Sequence, residues 1–161
     1  MAGRAIKQAK TAAHEFVSKI DLRSSEISII GFESRVHVMC YLSHDEHEIS
    51  RAIDKLSDKG GTNSPLDHCY NTLRNSNNKP VIVLLTDGEW FDQDKALITA
   101  QTCKNAGIDI IAVGFGSADK RFLEKIATVS MMTDINSLVD SFSTIATELS
   151  TNGSAAGISL R

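Results

Sequence analysis

The chain has 161 residues, of which 42% are hydrophobic and 23% are charged, a balance typical of one soluble globular domain. Its net charge of −3, with lysines and arginines scattered along the sequence, argues against nucleic acid as a partner. The opening residues, MAGRAIKQAK, lack an apolar core, and no apolar run approaches the roughly 18 residues of a membrane helix. We therefore expect neither a secretion signal nor a membrane span.

The first third of the chain predicts a helix followed by a β-hairpin. Residues 4–20 carry apolar side chains on one stripe at helical spacing, with lysine and glutamine opposite. The runs EISIIGF (26–32) and RVHVMCYL (35–42) have β-strand composition. The two residues between them make a hairpin the simplest link, so one strand is predicted to be antiparallel to the other.

Two helix starts are predicted in the next segment. Ser43 and Glu46 form a capping-box pattern, which predicts a helix from about Asp45 to Ser57. After the loop SDKGGTNSP, Ser64 is predicted as the N-cap and Pro65 as the first residue of another helix.

The second half of the chain alternates aliphatic runs with amphipathic segments. The predicted elements are a strand at 80–86, a helix at 93–106, a strand within 108–116, a helix capped by Asp119 or Ser117, a short strand at 131–133 and a helix at 135–149. Residues 1–149 are thus predicted as one domain, and residues 150–161 have linker-like composition.

This alternation predicts an α/β fold with a doubly wound, mostly parallel sheet, one antiparallel edge strand and helices on both faces. In such sheets ligands bind at the carboxyl ends of the strands. The segment VIVLLTDGEW (81–90) runs from a buried strand directly into Asp87, which places a carboxylate at that end. Asp87 is therefore a candidate binding residue.

Three cysteines, Cys40, Cys69 and Cys103, are far apart in the sequence and lie among apolar neighbours. An odd number of dispersed cysteines favours reduced thiols in a core over disulfides. We accordingly expect a cytoplasmic protein.

Four segments together resemble the von Willebrand factor A domain family: KGGTN at 59–63, LLTDGEW at 84–90, IDIIAVGFG at 108–116 and FLEKIA at 122–127. In that family three loops build a metal-ion-dependent adhesion site, from a DxSxS motif, a threonine and an aspartate. The resemblance implies that Thr62 is the threonine and Asp87 the aspartate of such a site.

The implied cofactor is Mg²⁺, or Mn²⁺ or Ca²⁺, bridging Thr62 and Asp87 to a carboxylate on a protein partner. Hydroxyl and carboxylate oxygens with retained waters suit an octahedral Mg²⁺. The implied partner-binding residues are those of the same loops: Gly61, Asn63, Gly88, Glu89 and Trp90. For Trp90 and its neighbour Phe91, a packing role is as compatible with the sequence as partner contact.

The family's DxSxS motif and first strand have no counterpart here, because the resemblance begins with the helix that follows them. Metal binding by this chain is therefore expected to be weak or absent. Truncation of a longer protein is the preferred explanation, and a natural domain that obtains its strand elsewhere is the alternative. The run AAGISLR near the C-terminus and strand exchange in a homodimer are two ways to supply such a strand.

No G-x-S-x-G, P-loop or HExxH motif is present, so we expect no enzyme. The function predicted from the resemblance is protein binding through the loops at the strand ends. Two alternatives stay open: a Mg²⁺-dependent phosphoryl or nucleotide enzyme that uses Asp87, and a metal-independent scaffold.

Overall fold

The computed structural model describes residues 3–57 and 63–152. In chain order the elements are α1 (Arg4–Ser18), β1 (Ile27–Phe32), β2 (Val36–Ser43), α2 (Glu46–Asp54), α3 (Leu66–Leu73), β3 (Val81–Thr86), α4 (Gln93–Asn105), β4 (Asp109–Gly114), α5 (Lys120–Ile126), β5 (Val129–Met132) and α6 (Leu138–Asn152). The predicted α/β class is confirmed.

The strands form two groups. β3, β4 and β5 make a parallel three-stranded sheet, with Val81 opposite Asp109 and Thr86 opposite Gly114. β1 and β2 make an antiparallel hairpin, as predicted. Within the described residues β1 bonds only to β2 and β3 bonds only to β4, so the hairpin and the parallel sheet are not joined by backbone hydrogen bonds.

Helices cover both faces of the parallel sheet, which explains why its strands are apolar on both sides. On one face, α1 and α6 pack against alternate residues of β3 and β4; this core includes Ala9, Ala12, Phe142, Ile145, Ile111 and Val113. On the other face, α3, α4 and α5 pack against the residues between; this core includes Leu66, Ala100, Phe122, Ile82, Leu84 and Ile110. A third core joins the end of α1 and α2 to the hairpin.

The helices α1 and α6 lie side by side and run in the same direction. Near their starts, an Arg4 guanidinium nitrogen donates to Asn136 Oδ1 at 2.6 Å. Near their ends, the Ser150 hydroxyl donates to the carbonyl of Lys19 at 3.2 Å. Because Asn136 follows β5, both helices run from the carboxyl ends of the parallel strands back to their amino ends.

The starts of α2 and α6 differ from the prediction because in each case an aspartate, and not the predicted residue, holds the backbone before the helix. α2 is capped by Asp45, whose carboxylate accepts from the His47 and Glu48 amides, and not by Ser43. α6 begins at residue 138, three residues later than predicted. There the Asp134 carboxylate accepts from the amides of residues 136 and 137 and holds a turn before the helix.

All three cysteines are free and buried, as expected from the sequence. Burial raises the pKa of the Cys69 thiol to about 12 and that of Cys103 to about 11. In the part of the chain that the structure describes, no helix combines the length and apolarity needed to cross a membrane.

Candidate functional site

The loops after β3 (residues 87–92) and β4 (residues 115–119), here called the rim loops, lie together at the carboxyl ends of the parallel sheet. Main-chain bonds tie them: the Phe115 amide donates to the Thr86 carbonyl at 3.1 Å. The Asp87 carbonyl accepts from both the amide and the hydroxyl of Ser117, at 3.1 and 2.9 Å. The position of Asp87 is therefore set by its backbone, and its half-buried side chain lies at the sheet edge, as predicted.

Gly116 allows this close approach of the two rim loops. Its φ is +60°, in the left-handed region that glycine adopts without steric cost. A Cβ at this position would lie 3.5 Å from the Asp87 carbonyl oxygen, which is ordinary contact. The requirement for glycine is thus conformational.

Trp90 is a core residue that anchors the first rim loop. It is 4% exposed, with its ring edge-on to Phe32 and Phe122 at centroid distances of 5.7 and 5.3 Å. Its indole N–H donates to the hydroxyl of the buried Thr86 at 3.2 Å. The prediction that Trp90 contacts a partner does not agree with this burial, because almost none of its ring reaches the surface.

Phe91, the next residue, is 80% exposed. Burying the Trp90 side chain turns the next side chain outward, so the loop displays one aromatic ring beside Asp87, Gly88 and Glu89. Glu89 is also exposed. The sequence alone does not show which of two adjacent aromatic rings is buried, because that depends on packing against residues far away in the sequence.

Asn63 and Ser64 hold the second predicted loop against its neighbours. The Asn63 amide donates to the Glu33 carbonyl at 3.0 Å. Its side-chain nitrogen donates to the Ser34 carbonyl at 2.6 Å. The Ser64 amide donates to the Asp92 carboxylate, at 3.1 Å from Oδ1 and 3.3 Å from Oδ2. Thr62 and Gly61, the other predicted residues of this loop, lie outside the described residues.

Asp92 was not predicted to have this role. It immediately precedes α4, but its side chain makes no capping bond to that helix and accepts from the Ser64 amide instead. The start of α3 also differs from the prediction, because the helix begins at residue 66 and not at Pro65. There the Ser64 hydroxyl accepts from the Leu66 amide at 3.3 Å, so serine still supports the first turn.

Glu33, in the turn of the hairpin, is the other acidic side chain near Asn63. Its side chain is 15% exposed, and Oε1 lies 3.8 Å from Nε2 of His37. Its Oε2 is buried and has no hydrogen-bond partner among residues 3–57 and 63–152. A buried carboxylate oxygen without a donor is costly, and a cation or an additional donor would stabilise it.

The metal-ligand prediction concerns Thr62 and Asp87, and of these two residues the structure describes only Asp87. Among residues 3–57 and 63–152, no group of three or more histidine, cysteine, aspartate or glutamate side chains is arranged to hold a metal ion.

A parallel sheet with helices on both faces defines a doubly wound α/β domain. The family model of the von Willebrand factor type A domain matches residues 1–151. The chain therefore belongs to the von Willebrand factor type A domain family, a family of protein-interaction modules, as the resemblance predicted.

A human relative, the collagen alpha-5(VI) chain, is 28% identical over an alignment of 125 residues, and the match covers 69% of this chain. The chain spans only 5% of the length of that relative.

Solved structures of low sequence identity share the fold. The vWF domain of the type V pili tip protein Mfa5 from Porphyromonas gingivalis superposes with a TM-score of 0.83 at 15% identity, over 99% of this chain and 94% of that one. Proximal thread matrix protein 1 from the mussel byssus, with a zinc-occupied MIDAS motif, gives 0.76 at 19% identity, over 91% and 43%. The manganese-loaded TRAP protein of Plasmodium vivax gives 0.70 at 17% identity, over 86% and 66%.

Proposed function

We propose that this domain binds a protein partner through its rim loops, with Phe91 as the apolar contact and Asp87 and Glu89 as the acidic contacts beside it. The observation that carries this proposal is the 80% exposure of Phe91 on the loop that also bears Asp87. An aromatic ring held in water is unfavourable, and interfaces are enriched in aromatic residues.

The rigidity of the loop supports the same proposal. Trp90 fixes the loop to the core, and Ser117 fixes the Asp87 carbonyl, so Phe91 projects from a backbone held on both sides. A preorganised contact residue loses little conformational freedom on binding. A loop whose backbone is held by the core in this way is suited to binding a protein partner.

Photocrosslinking at two exposed aromatic positions tests this function. Benzoylphenylalanine is introduced in place of Phe91 or, as a matched control, in place of Tyr41, which is 72% exposed on β2. After irradiation of the cells that express the variants, we expect the chain to be crosslinked to one discrete protein through position 91 and to none through position 41. Equal yields at both positions, or an adduct from position 41 alone, would contradict a binding face at the rim loops.

The finer prediction is a Mg²⁺ bridge from Thr62 and Asp87 to a partner carboxylate. Support comes from the position of Asp87 at the strand end, from the zinc-occupied MIDAS motif of the mussel byssus protein and from the manganese-loaded TRAP protein. The partner contact proposed above rests on Phe91 and its acidic neighbours, and it does not require this ion.

A Mn²⁺ titration followed by NMR tests the metal proposal separately from partner binding. Paramagnetic Mn²⁺ is expected to broaden the amide signals of residues 86–89 first, and Asp87→Asn is expected to abolish the effect. Asp109→Asn is the control, because Asp109 lies at the amino end of β4, five residues from its rim end. Broadening that is unchanged in Asp87→Asn would exclude Asp87 as a ligand.

A further inference from the structure

The helix α4 carries a large apolar side chain on the side that faces away from the sheet. Its buried residues are Ala96, Ala100 and Cys103, which pack into the core. Ile98 is two residues from each alanine, about 200° around the helix, so it points in the opposite direction, and it is 71% exposed. Ile98 follows Phe91 by seven residues, which places the two exposed side chains about 10 Å apart along the helix axis. Exposed apolar surface thus continues from the rim loops along α4.

The outward residues near Ile98 are mostly uncharged, and we call them the outer strip: Phe91, Asp94, Ile98, Gln101, Thr102 and Asn105. Asp94, in the first turn of α4, is the one charged residue among them. By contrast, every exposed residue of α5 is charged, and every exposed residue of α2 is charged or a histidine. Solvated helix faces are usually charged, whereas the centres of protein interfaces are depleted of charge. The outer strip thus has the composition of an interface.

The two lysines of α4 are held at its sides by the neighbouring helices. The Lys95 ammonium group lies 3.0 Å from the Asp67 carboxylate on α3. The Lys104 ammonium group donates to the carbonyl of Lys125, near the end of α5, at 3.3 Å. Because α4 packs against both α3 and α5, these contacts draw the positive charges away from the outer strip. The net charge of the strip is therefore negative and comes from Asp94.

The polar side chains of the outer strip make hydrogen bonds within the helix itself. The Gln101 side-chain nitrogen donates to Asn105 Oδ1 at 2.9 Å. The Thr102 hydroxyl donates to the Ile98 carbonyl at 3.1 Å. A polar group whose hydrogen bond is made inside the protein loses less when a partner displaces the surrounding water. A partner can therefore cover this part of α4 with little cost of desolvation.

We propose that the outer strip continues the binding face of the rim loops, and that the protein partner covers it with an apolar surface that bears lysine or arginine at the end facing Asp94. This proposal rests on the proposed function, which it extends from one loop to about 20 Å of helix. Charge complementarity selects the partner, because Asp87, Glu89 and Asp94 all lie at the rim end of α4 and attract basic groups. The outer strip of a second copy would supply no basic side chain.

Photocrosslinking at position 98, beside the experiment at position 91, tests the proposal. Benzoylphenylalanine replaces Ile98 or, as the matched control, Thr144, which is exposed in the middle of α6 on the opposite face of the sheet. We expect mass spectrometry to identify the same protein in the adducts from positions 91 and 98. Position 144 is expected to give no adduct.

Two pairs of substitutions measure the contacts while the crosslinker stays at position 91. Ile98→Asp is expected to lower the yield of the position-91 adduct about tenfold, and Thr144→Asp should leave it unchanged. Asp94→Lys is expected to lower the yield at least about threefold, because it turns attraction to a basic partner into repulsion. Asp140→Lys, the same change in the first turn of α6, should have no effect. All four residues are exposed, so melting temperatures close to that of the unchanged chain show that the variants fold.

The outcomes separate this proposal from the function on which it rests. An adduct at position 91 with none at position 98, or with a yield that Ile98→Asp does not change, would overturn the contact by α4 and leave the binding face at the rim loops in place. An adduct at position 98 that contains only this chain would replace the foreign partner with a second copy. A yield that Asp94→Lys leaves unchanged or raises would overturn the basic partner. No adduct at position 91 would contradict the proposed function itself, and this extension with it.

Discussion

The hairpin and the parallel sheet are built from similarly apolar strands but differ in how deeply they are buried. Ile110, Ile111 and Ala112 of β4 are inaccessible to solvent, whereas every residue of β1 stays partly exposed. β4 has a strand on each side and helices on both faces, while β1 has one neighbouring strand in the part of the chain that the structure describes. Burial in this domain thus follows the number of paired edges more closely than it follows hydrophobicity.

The largest difference in stability is expected when one isoleucine is truncated to alanine in the parallel sheet and one in the hairpin. Ile111→Ala in β4 removes a fully buried side chain and is expected to lower the free energy of unfolding by about 2–5 kcal/mol. Ile29→Ala in β1 removes a half-buried one and should cost about 1–2 kcal/mol. Urea denaturation of both variants measures these losses. Equal losses would show that the hairpin is packed as tightly as the parallel sheet.

Adding a methyl group tests packing from the opposite direction. A Cβ on Gly114 of β4 would lie 2.6 Å from Leu123 Cδ1 and 2.7 Å from Met132 Sδ. Since Leu123 is 1% exposed and has nowhere to move, Gly114→Ala is expected to cost about 1–3 kcal/mol.

Gly31→Ala in β1 is the matched substitution. Its Cβ would make one tight contact, 3.0 Å from the end of the Leu56 side chain, so the loss should stay within about 1 kcal/mol. Thermal denaturation of the two alanine variants compares them. A larger loss at Gly31 would reverse the difference between the two parts.

Alkylation of the native cysteines compares how often the hairpin and the parallel sheet open locally, and it needs no substitution. Cys40 belongs to the hairpin and Cys69 to the core of the parallel sheet. Burial raises the pKa of both thiols, that of Cys69 to about 12, so at pH 8 each reacts mainly when its surroundings open. We expect iodoacetamide to label Cys40 about tenfold faster, as followed by mass spectrometry. Faster labelling of Cys69 would mean that the parallel sheet opens first.

The smallest expected effect on stability concerns Asp67 on α3, a helix that packs against both the hairpin and α4. The Asp67 carboxylate accepts from the Thr99 hydroxyl at 2.7 Å and lies 3.0 Å from the Lys95 ammonium group. The Thr99 hydrogen bond, followed by the interactions with Lys95, holds the pKa of Asp67 below its ordinary value.

Because the folded-state pKa is lowered, Asp67 stabilises the fold above its unfolded-state pKa of about 3.9, and this contribution disappears as pH falls through the folded-state pKa. Thr99→Val should raise the pKa of Asp67 in an NMR titration. It should cost at most about 1 kcal/mol at pH 7 and nothing in strong acid, since the pair is partly exposed. Thr102→Val on the same helix is the control, and an equal effect there would exclude the Asp67 contact as the cause.

Much of the fold was predictable because its signals are local. Periodicity and caps within a few residues indicated each helix and strand, and the run into Asp87 indicated the end of the sheet that carries the proposed contacts. The bond between Ser64 and Asp92, which are 28 residues apart, has no such signal, because either residue alone resembles a helix cap. The burial of Trp90 likewise depends on Phe32 and Phe122, which only the folded chain brings together.

The bonds from Ser117 to the Asp87 carbonyl have a consequence for how this family diversifies. They use the main-chain carbonyl of residue 87, a group that every amino acid supplies. These two bonds to the backbone at this position therefore do not depend on which side chain the residue carries. Recognition can change here while the architecture beneath it is inherited intact.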